Sequence, residues 1–227
     1  MEKPQVFERD VFTTAQGELG ITFFGHGSLL FDFQGFSIYV DPYSQVCNYA
    51  KLPPADLVLI THEHHDHLDL QALACIRSEK THVISNLAAI SQLNSSQALH
   101  NGQGTVWSGI PVEAVPAYNL VNKRPDGQPF HPKGVGNGYI LTFSDLRVYI
   151  AGDTENIPEM KALRDIQIAF LPMNLPYTMT PEMVADAARA FKPKILYPYH
   201  YGSTDPHKLV ALLGPGSGIE VRIRRLA

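Results

Sequence analysis

Cysteine is scarce in this chain. Its two thiols, Cys47 and Cys75, fall in neither a Cys-x-x-Cys pair nor a zinc-finger spacing, which excludes a disulfide framework and a thiolate metal site. Both are expected to be ordinary reduced thiols. Long apolar runs are missing too: stretches such as Ile166 to Pro172 are far below the roughly 20 residues of a membrane-crossing helix. Positive charge is not in excess. With 18 Lys and Arg against 22 Asp and Glu, a formal net charge of -4 and a pI near 6.2, no global field favours a nucleic-acid backbone or an anionic membrane surface. The expected partner is a small-molecule substrate, with no nucleic acid and no membrane span, while oligomeric state leaves no trace in the sequence. The start, Met1-Glu2-Lys3-Pro4-Gln5, has neither the basic opening nor the apolar stretch of a secretory signal. A cytoplasmic location is therefore expected, a periplasmic or processed form remaining open.

What is present suits a layered α/β fold. Hydrophobic residues make up 44% of the 227 residues, enough for a sizeable core, and no linker, repeat or low-complexity stretch divides the chain. One domain, 1–227, is expected. Strands are predicted over Leu19 to Phe24, Leu29 to Phe33 and Phe36 to Val40, separated by Gly25-His26-Gly27-Ser28 and Gln34-Gly35. A buried strand, Asp56 to Thr61, follows. Helical stripes are predicted at Leu68 to Ile76, with Asp69 as cap, and at Asn86 to Leu93. Further on, strands are expected at Val112 to Pro116, Gly138 to Phe143, Arg147 to Ala151, Ile166 to Leu171, Lys194 to Tyr199 and Ile219 to Arg224. Helices are expected near Glu155 to Leu163, Pro181 to Phe191 and Pro206 to Leu213, Thr180-Pro181 making a good helix start. Two packed sheets with helices outside, a four-layer αββα sandwich, is the expected architecture. Asn119 to Asn137 is a long stretch without a periodic pattern, of the kind that forms lids or binding loops.

Four of the ten histidines fall between positions 62 and 67, in His62-Glu63-His64-His65-Asp66-His67 at the end of a strand. Imidazole nitrogens and carboxylate oxygens at a His-x-His-x-Asp-His spacing are the ligands that borderline divalent ions prefer. A histidine-rich solvated loop, or a helix start capped by Asp66, is the bland alternative. Asp153, in Gly152-Asp153-Thr154, and His200 each follow a hydrophobic strand as well. Strand ends of open α/β sheets are where sites usually lie.

These residues, together with Gly25-His26-Gly27-Ser28 and Asp41-Pro42, resemble the metallo-β-lactamase superfamily from about Gly20 to His200. Within it the chain is most similar to the small metal-dependent hydrolases related to the L-ascorbate-6-phosphate lactonases, and less closely to the N-acylphosphatidylethanolamine phospholipase D type. The resemblance implies that His62 and His64 bind one metal, that Asp66, His67 and His200 bind another, and that Asp153 bridges them. It implies one or two divalent ions per chain, zinc or manganese first and iron next. It also implies a metal-bound hydroxide that cleaves a small ester, lactone or phosphodiester, with Asp66 orienting the nucleophile and passing a proton. The family's usual third histidine on the first metal is missing, since that place reads Ala117-Tyr118-Asn119. His131 is the proposed replacement or a substrate contact, against a surface-loop histidine. Tyr177 and Tyr201 are candidate substrate contacts against mere packing, and His26 is a support for the site against a structural histidine. Lys123, Arg124 and Lys133 either bind an anionic substrate group or are simply solvated. A nuclease of the same superfamily, a metal-binding sensor or scaffold without chemistry, and redox chemistry at a di-iron centre are the competing functions.

Overall fold

The computed structural model describes residues 6–93 and 97–227. Its first sheet runs in chain order. Strands β1 (Glu8–Thr14), β2 (Gly17–Gly25), β3 (Ser28–Phe33) and β4 (Phe36–Val40) form an antiparallel meander, and β5 (Leu57–Ile60), β6 (His82–Ser85) and β7 (Gln97–Ala98) continue it in parallel. The second sheet repeats the plan. Strands β8 (Gly104–Trp107), β9 (Ile110–Ala117), β10 (Gly136–Phe143) and β11 (Leu146–Ile150) are antiparallel, followed in parallel by β12 (Ile168–Pro172), β13 (Ile195–Tyr199) and β14 (Glu220–Val221).

Alternation along the strands decides what each face buries. Ile21, Phe23, Leu29 and Phe31 from the first sheet meet Val112, Leu141, Phe170 and Tyr197 from the second in one buried cluster between them. The opposite faces are covered by helices. Tyr39, Val58 and Ile60 pack with Leu73 and Ile76 of α1 (Leu70–Ile76). Ile140, Tyr149, Ala169 and Leu171 pack with Met160 of α2 (Pro158–Lys161), Val184 and Ala188 of α3 (Pro181–Phe191), and Leu209 and Leu213 of α4 (His207–Leu213). The four-layer sandwich is thus present, with thin helical layers. Among the described residues no helix is long and apolar enough to cross a membrane.

Helix starts obey local chemistry. The Asp69 carboxylate accepts from the amides of Gln71 and Ala72, and Thr180 accepts from Met183 N ahead of Pro181. Other expectations are corrected. The predicted helix at Asn86 to Leu93 is only a 3-10 turn over Ala89–Gln92. The one at Glu155 to Leu163 shrinks to Pro158–Lys161, because Glu155 spends its carboxylate on a neighbouring loop and Ile157 is extended. The strand expected at Ile219 to Arg224 pairs only through Glu220–Val221, as Arg222 and Arg224 turn to the Asp10 carboxylate. Strands β1, β6, β7 and β8 were not expected at all. The stretch from Asn119 on is irregular yet ordered: Lys123 and Pro129 form an antiparallel bridge, and β10 begins at Gly136.

Candidate metal centre

Most of the polar groups of interest leave the C-terminal end of a strand. His62 through His67 follow β5, Asp41 follows β4, Asp153 follows β11 and His200 follows β13. The turn before Asp153 needs glycine. Gly152 has φ +65°, and a Cβ there would lie 2.6 Å from the carbonyl oxygen of Asn137. Asp41, His26 and His200 also adopt left-handed backbone, φ 42°, 54° and 45°, a conformation non-glycine residues seldom take outside constrained sites. Their peptides are tied together, since His200 N donates to His26 O.

The rings are oriented by hydrogen bonds from behind. Asp41 is fully buried; it accepts from the Thr61 amide and hydroxyl and sits 2.8 Å from His67 Nδ1. The Thr61 hydroxyl proton is used on Asp41, so His62 Nδ1, 3.0 Å from that oxygen, must be the donor there. His62 and His67 therefore both turn Nε2 into the site. His131 arrives by a different route. Asn119 Oδ1 accepts from the His131 amide and lies 2.8 Å from its Nδ1, which again leaves Nε2 free.

The resulting cluster groups His62, His64 and His131 on one side and His26, Asp66, His67 and His200 on the other, while His62 and His67 also meet at Asp153. Within each set the ligand-type atoms lie within 4.8 Å of one another. Asp153 turns one oxygen to each side: Oδ2 is 3.3 Å from His131 Nε2, and Oδ1 is 3.5 Å from His67 Nε2 and 3.7 Å from His200 Nε2. His62 Nε2 and His64 Nδ1 are 3.0 Å apart, and Asp66 Oδ2 is 3.7 Å from His200 Nε2. Metal–ligand bonds of about 2.1 Å put adjacent ligand atoms roughly 3 to 3.5 Å apart, close to the 3.0 to 3.7 Å separations here. Buried His67 Nε2, Asp153 Oδ1 and His200 Nε2 also lack any hydrogen-bond partner among the described residues. Orphaned buried lone pairs of this kind are expensive unless something binds them. The donor set fits a divalent cation.

Electrostatics follow from burial and crowding. Burial holds the His62 imidazole well below its usual pKa, helped by the charge of His67, and burial with His131 nearby lowers His64. Burial would lower His67 as well, but Asp153, Asp41 and Asp66 outweigh it and push the ring up to about 9. Burial would raise Asp66 and Asp153; the surrounding histidines, His200 first in each case, instead hold both well below the usual carboxylate range.

The cluster opens into a cleft of about 360 Å³. Asp66, His131, Asp153 and His200 line its floor, and Arg124, Phe130 and Tyr177 its wall. A larger recess of about 460 Å³ lies beside Ser44, Cys47 and Cys75, but it holds no cluster of ligating groups. The sequence candidates sort accordingly. His62, His64, Asp66, His67, His131, Asp153 and His200 come together, and Tyr177 borders the cleft. Tyr201 does not line it: its hydroxyl donates to Arg224 O, because the chain turns at His200 and carries the next side chain back toward the core. Lys133 is drawn off by Glu159, and Lys123 is not among the lining residues. Tyr118, at the place of the absent histidine, points to Glu159 instead. His26 Nε2 lies 3.0 Å from Asp66 Oδ2, beside the cluster. Asp41, Asn119 and Glu155 were missed. Asp41 shares the strand-end position of the ligands and was recognisable on that ground; nothing local marks the other two.

Comparison with known proteins settles the family. Residues 20–200 match the model of the Beta-lactamase superfamily domain. The chain is 30% identical over 197 residues to a UPF0173 metal-dependent hydrolase of Methanopyrus kandleri, covering 82% of this chain and 85% of that one. The chain belongs to the metallo-β-lactamase superfamily, among the UPF0173 metal-dependent hydrolases. A crystal structure from Parabacteroides distasonis, described as a metal-dependent hydrolase, superposes with a TM-score of 0.93 at 51% identity, covering 98% of this chain and 100% of that one. The fold extends to Igni18, a metallo hydrolase of Ignicoccus hospitalis, with a TM-score of 0.74 at 22% identity over 92% of this chain and 96% of that one.

Proposed function

We propose that this family member hydrolyses a small ester, lactone or phosphodiester at a centre holding two divalent ions. His62, His64 and His131 form one ligand set, Asp66, His67 and His200 the other, and Asp153 spans both. The observation that carries this reading is the convergence of the Nε2 atoms of His67, His131 and His200 on the two oxygens of Asp153. His131 supplies the position that a standard histidine after β9 would fill, which weakens the reading as a scaffold without chemistry.

Divalent ions held there would lower the pKa of water toward about 7 and polarise a substrate oxygen, zinc, manganese and iron all being compatible with a mixed histidine and carboxylate set. The protein's own residues do the rest. Asp66, pinned through Oδ2 to His26 Nε2, keeps Oδ1 to orient the attacking water, take its proton and hand it to the leaving group. Its depressed pKa keeps it an anion at neutral pH, so that it accepts a hydrogen bond from the water and orients it. Asp41 and Asn119 hold the rings of His67 and His131 in one tautomer. The cleft volume supports a small-molecule substrate, and its single arginine offers little to a nucleic-acid backbone. A lactone, as the resemblance to the L-ascorbate-6-phosphate lactonases implies, fits the same geometry.

The test is elemental analysis of protein purified natively and after reconstitution, followed by a hydrolysis screen of lactones, carboxylic esters, phosphodiesters and β-lactams. Asp66→Ala is expected to lower turnover by orders of magnitude. Failure to take up any metal would overturn the reading, and wild-type turnover by a fully loaded Asp66→Ala protein would remove Asp66 from the mechanism.

A further inference from the structure

Among the described residues, Arg124 is the one permanently cationic side chain lining the cleft. The loop that carries it is built rather than loose. Lys123 and Pro129 pair as a short antiparallel bridge, Arg124 N donates to Gln128 O at 2.7 Å, and Gly127 N donates back to Arg124 O at 2.9 Å. The guanidinium lies over the Phe130 ring, 5.3 Å from its centroid, and one Nη2 bond to Phe130 O at 3.3 Å is the only side-chain hydrogen bond it makes among the described residues. A guanidinium carries five N–H donors in a planar fork, so most of its capacity is uncommitted. No carboxylate of the described residues forms an ion pair with it, unlike Lys133, Arg147 and Arg222. The two acids of the cleft, Asp66 and Asp153, face the histidine cluster instead.

Two aromatic rings stand beside Arg124 in the cleft lining, which also includes the polar Asn174. Phe130 meets Tyr177 edge-on, ring centroids 5.0 Å apart, and Tyr177 is 44% exposed. Leu120, Val121 and Leu175 are also large, exposed hydrophobic residues. Two amide bonds, Asn119 Nδ2 to Tyr177 O and Asn122 Nδ2 to Thr178 O, stitch their two segments into one rim. A fixed cation beside an aromatic wall, opening on ester-cleaving machinery, selects for both an anion and a flat or apolar group.

We propose that Arg124 is a specificity-determining residue that anchors a carboxylate or phosphate group of the substrate while Phe130 and Tyr177 hold its aromatic or apolar body. This rests on the hydrolase reading above.

Three esters with the same scissile bond test it on the metal-loaded protein: phenyl acetate, 4-carboxyphenyl acetate and 4-phosphonophenyl acetate. Wild type is expected to favour at least one anionic ester over the neutral one by about tenfold or more in kcat/KM, the preference lying mainly in KM. In Arg124→Ala the ratio falls toward one, and Arg124→Lys lies between. The carboxylate and phosphonate arms tell which anion is preferred. Calorimetric binding of benzoate, phenylphosphonate and benzyl alcohol gives a readout independent of turnover. Equal binding of both anions by wild type and Arg124→Ala, no binding of either to wild type, or an unchanged ester ratio in the variant overturns the proposal. Arg124-dependent anion binding with no cleavage of these esters or of any compound in the hydrolysis screen above would sink the hydrolytic reading and leave the anion site standing.

Discussion

His131 and Asn119 are locked together by three hydrogen bonds: Asn119 N donates to His131 O, and Asn119 Oδ1 faces both the amide and the Nδ1 of His131. A backbone amide can only donate, which fixes the side-chain oxygen of Asn119 on this side and makes His131 Nδ1 the protonated nitrogen. The asparagine thereby turns a loop histidine, twelve residues away in sequence, into a preset lone-pair donor.

Asn119→Ala should release that ring. Loss of such an orienting partner typically costs 10- to 100-fold in metal affinity, and the expected outcome is a drop of about that size at one of the two positions. Asn119→Asp, which keeps the acceptor, should recover much of it. Competition titration with a chromophoric chelator measures both, and an Asn119→Ala protein that binds as tightly as wild type while His131→Ala does not would refute the coupling.

Much of this candidate centre is readable from residue order because most of its candidate ligands sit at strand ends, and strand ends are marked locally. Leu57-Val58-Leu59-Ile60 announces a buried strand and delivers His62, while Ile195 to Tyr199 does the same for His200. What escapes is tertiary. Asn119 and Glu155 act through partners that only folding brings near, and Tyr201 was misjudged because the backbone reverses at His200, whose φ is 45°. Strand β1 was illegible for another reason. Three consecutive charged residues, Glu8, Arg9 and Asp10, open it without a strand pattern, yet Arg9 pairs with Asp32, and Asp10 gathers Arg224 and the Tyr197 hydroxyl.

His67 makes metal uptake pH-dependent. Its pKa in the metal-free protein stands near 9, whereas an unfolded histidine titrates near 6.5. A group raised on folding stabilises the metal-free protein fully below about 6.5, and that contribution is lost as pH climbs through about 9. Asp66 and Asp153, depressed on folding, act oppositely: their contribution is present above the unfolded carboxylate pKa and is lost as pH falls. Thermal melts of chelator-treated protein should therefore decline from pH 6.5 to 9. Coordination through His67 Nε2 must displace its proton, so metal affinity should rise over the same window and loading at pH 7.5 should release protons in calorimetry run in buffers of different ionisation enthalpy. Asp41→Asn lowers the His67 pKa and shrinks that release. Identical proton release from wild type and Asp41→Asn would count against His67 as the protonated group.

Glu155 is the remaining anchor of the loop. Fully buried, its carboxylate accepts from the amides of Leu120 and Val121 at 2.6 Å and of Asn122 at 2.7 Å, while its own amide donates to Tyr118 O. One acid thus satisfies three consecutive donors just beyond Asn119, and Thr154 Oγ1 accepts from the Tyr118 amide before it. Hydrogen bonds to a charged partner contribute about 1.5 to 3 kcal/mol each, and bonds that share one partner fall short of simple addition. Glu155→Ala should therefore cost about 3 kcal/mol or more in urea unfolding and abolish amide-exchange protection at residues 120–122. Glu155→Gln keeps one oxygen but sets an amide donor against the opposing N–H, so an intermediate loss is expected. Since Asn119 lies on the same strap, the alanine variant should also reproduce the metal-affinity defect of Asn119→Ala. Unchanged exchange at 120–122 in Glu155→Ala would show that the loop is held by other contacts, and the link from this buried carboxylate to His131 would fail.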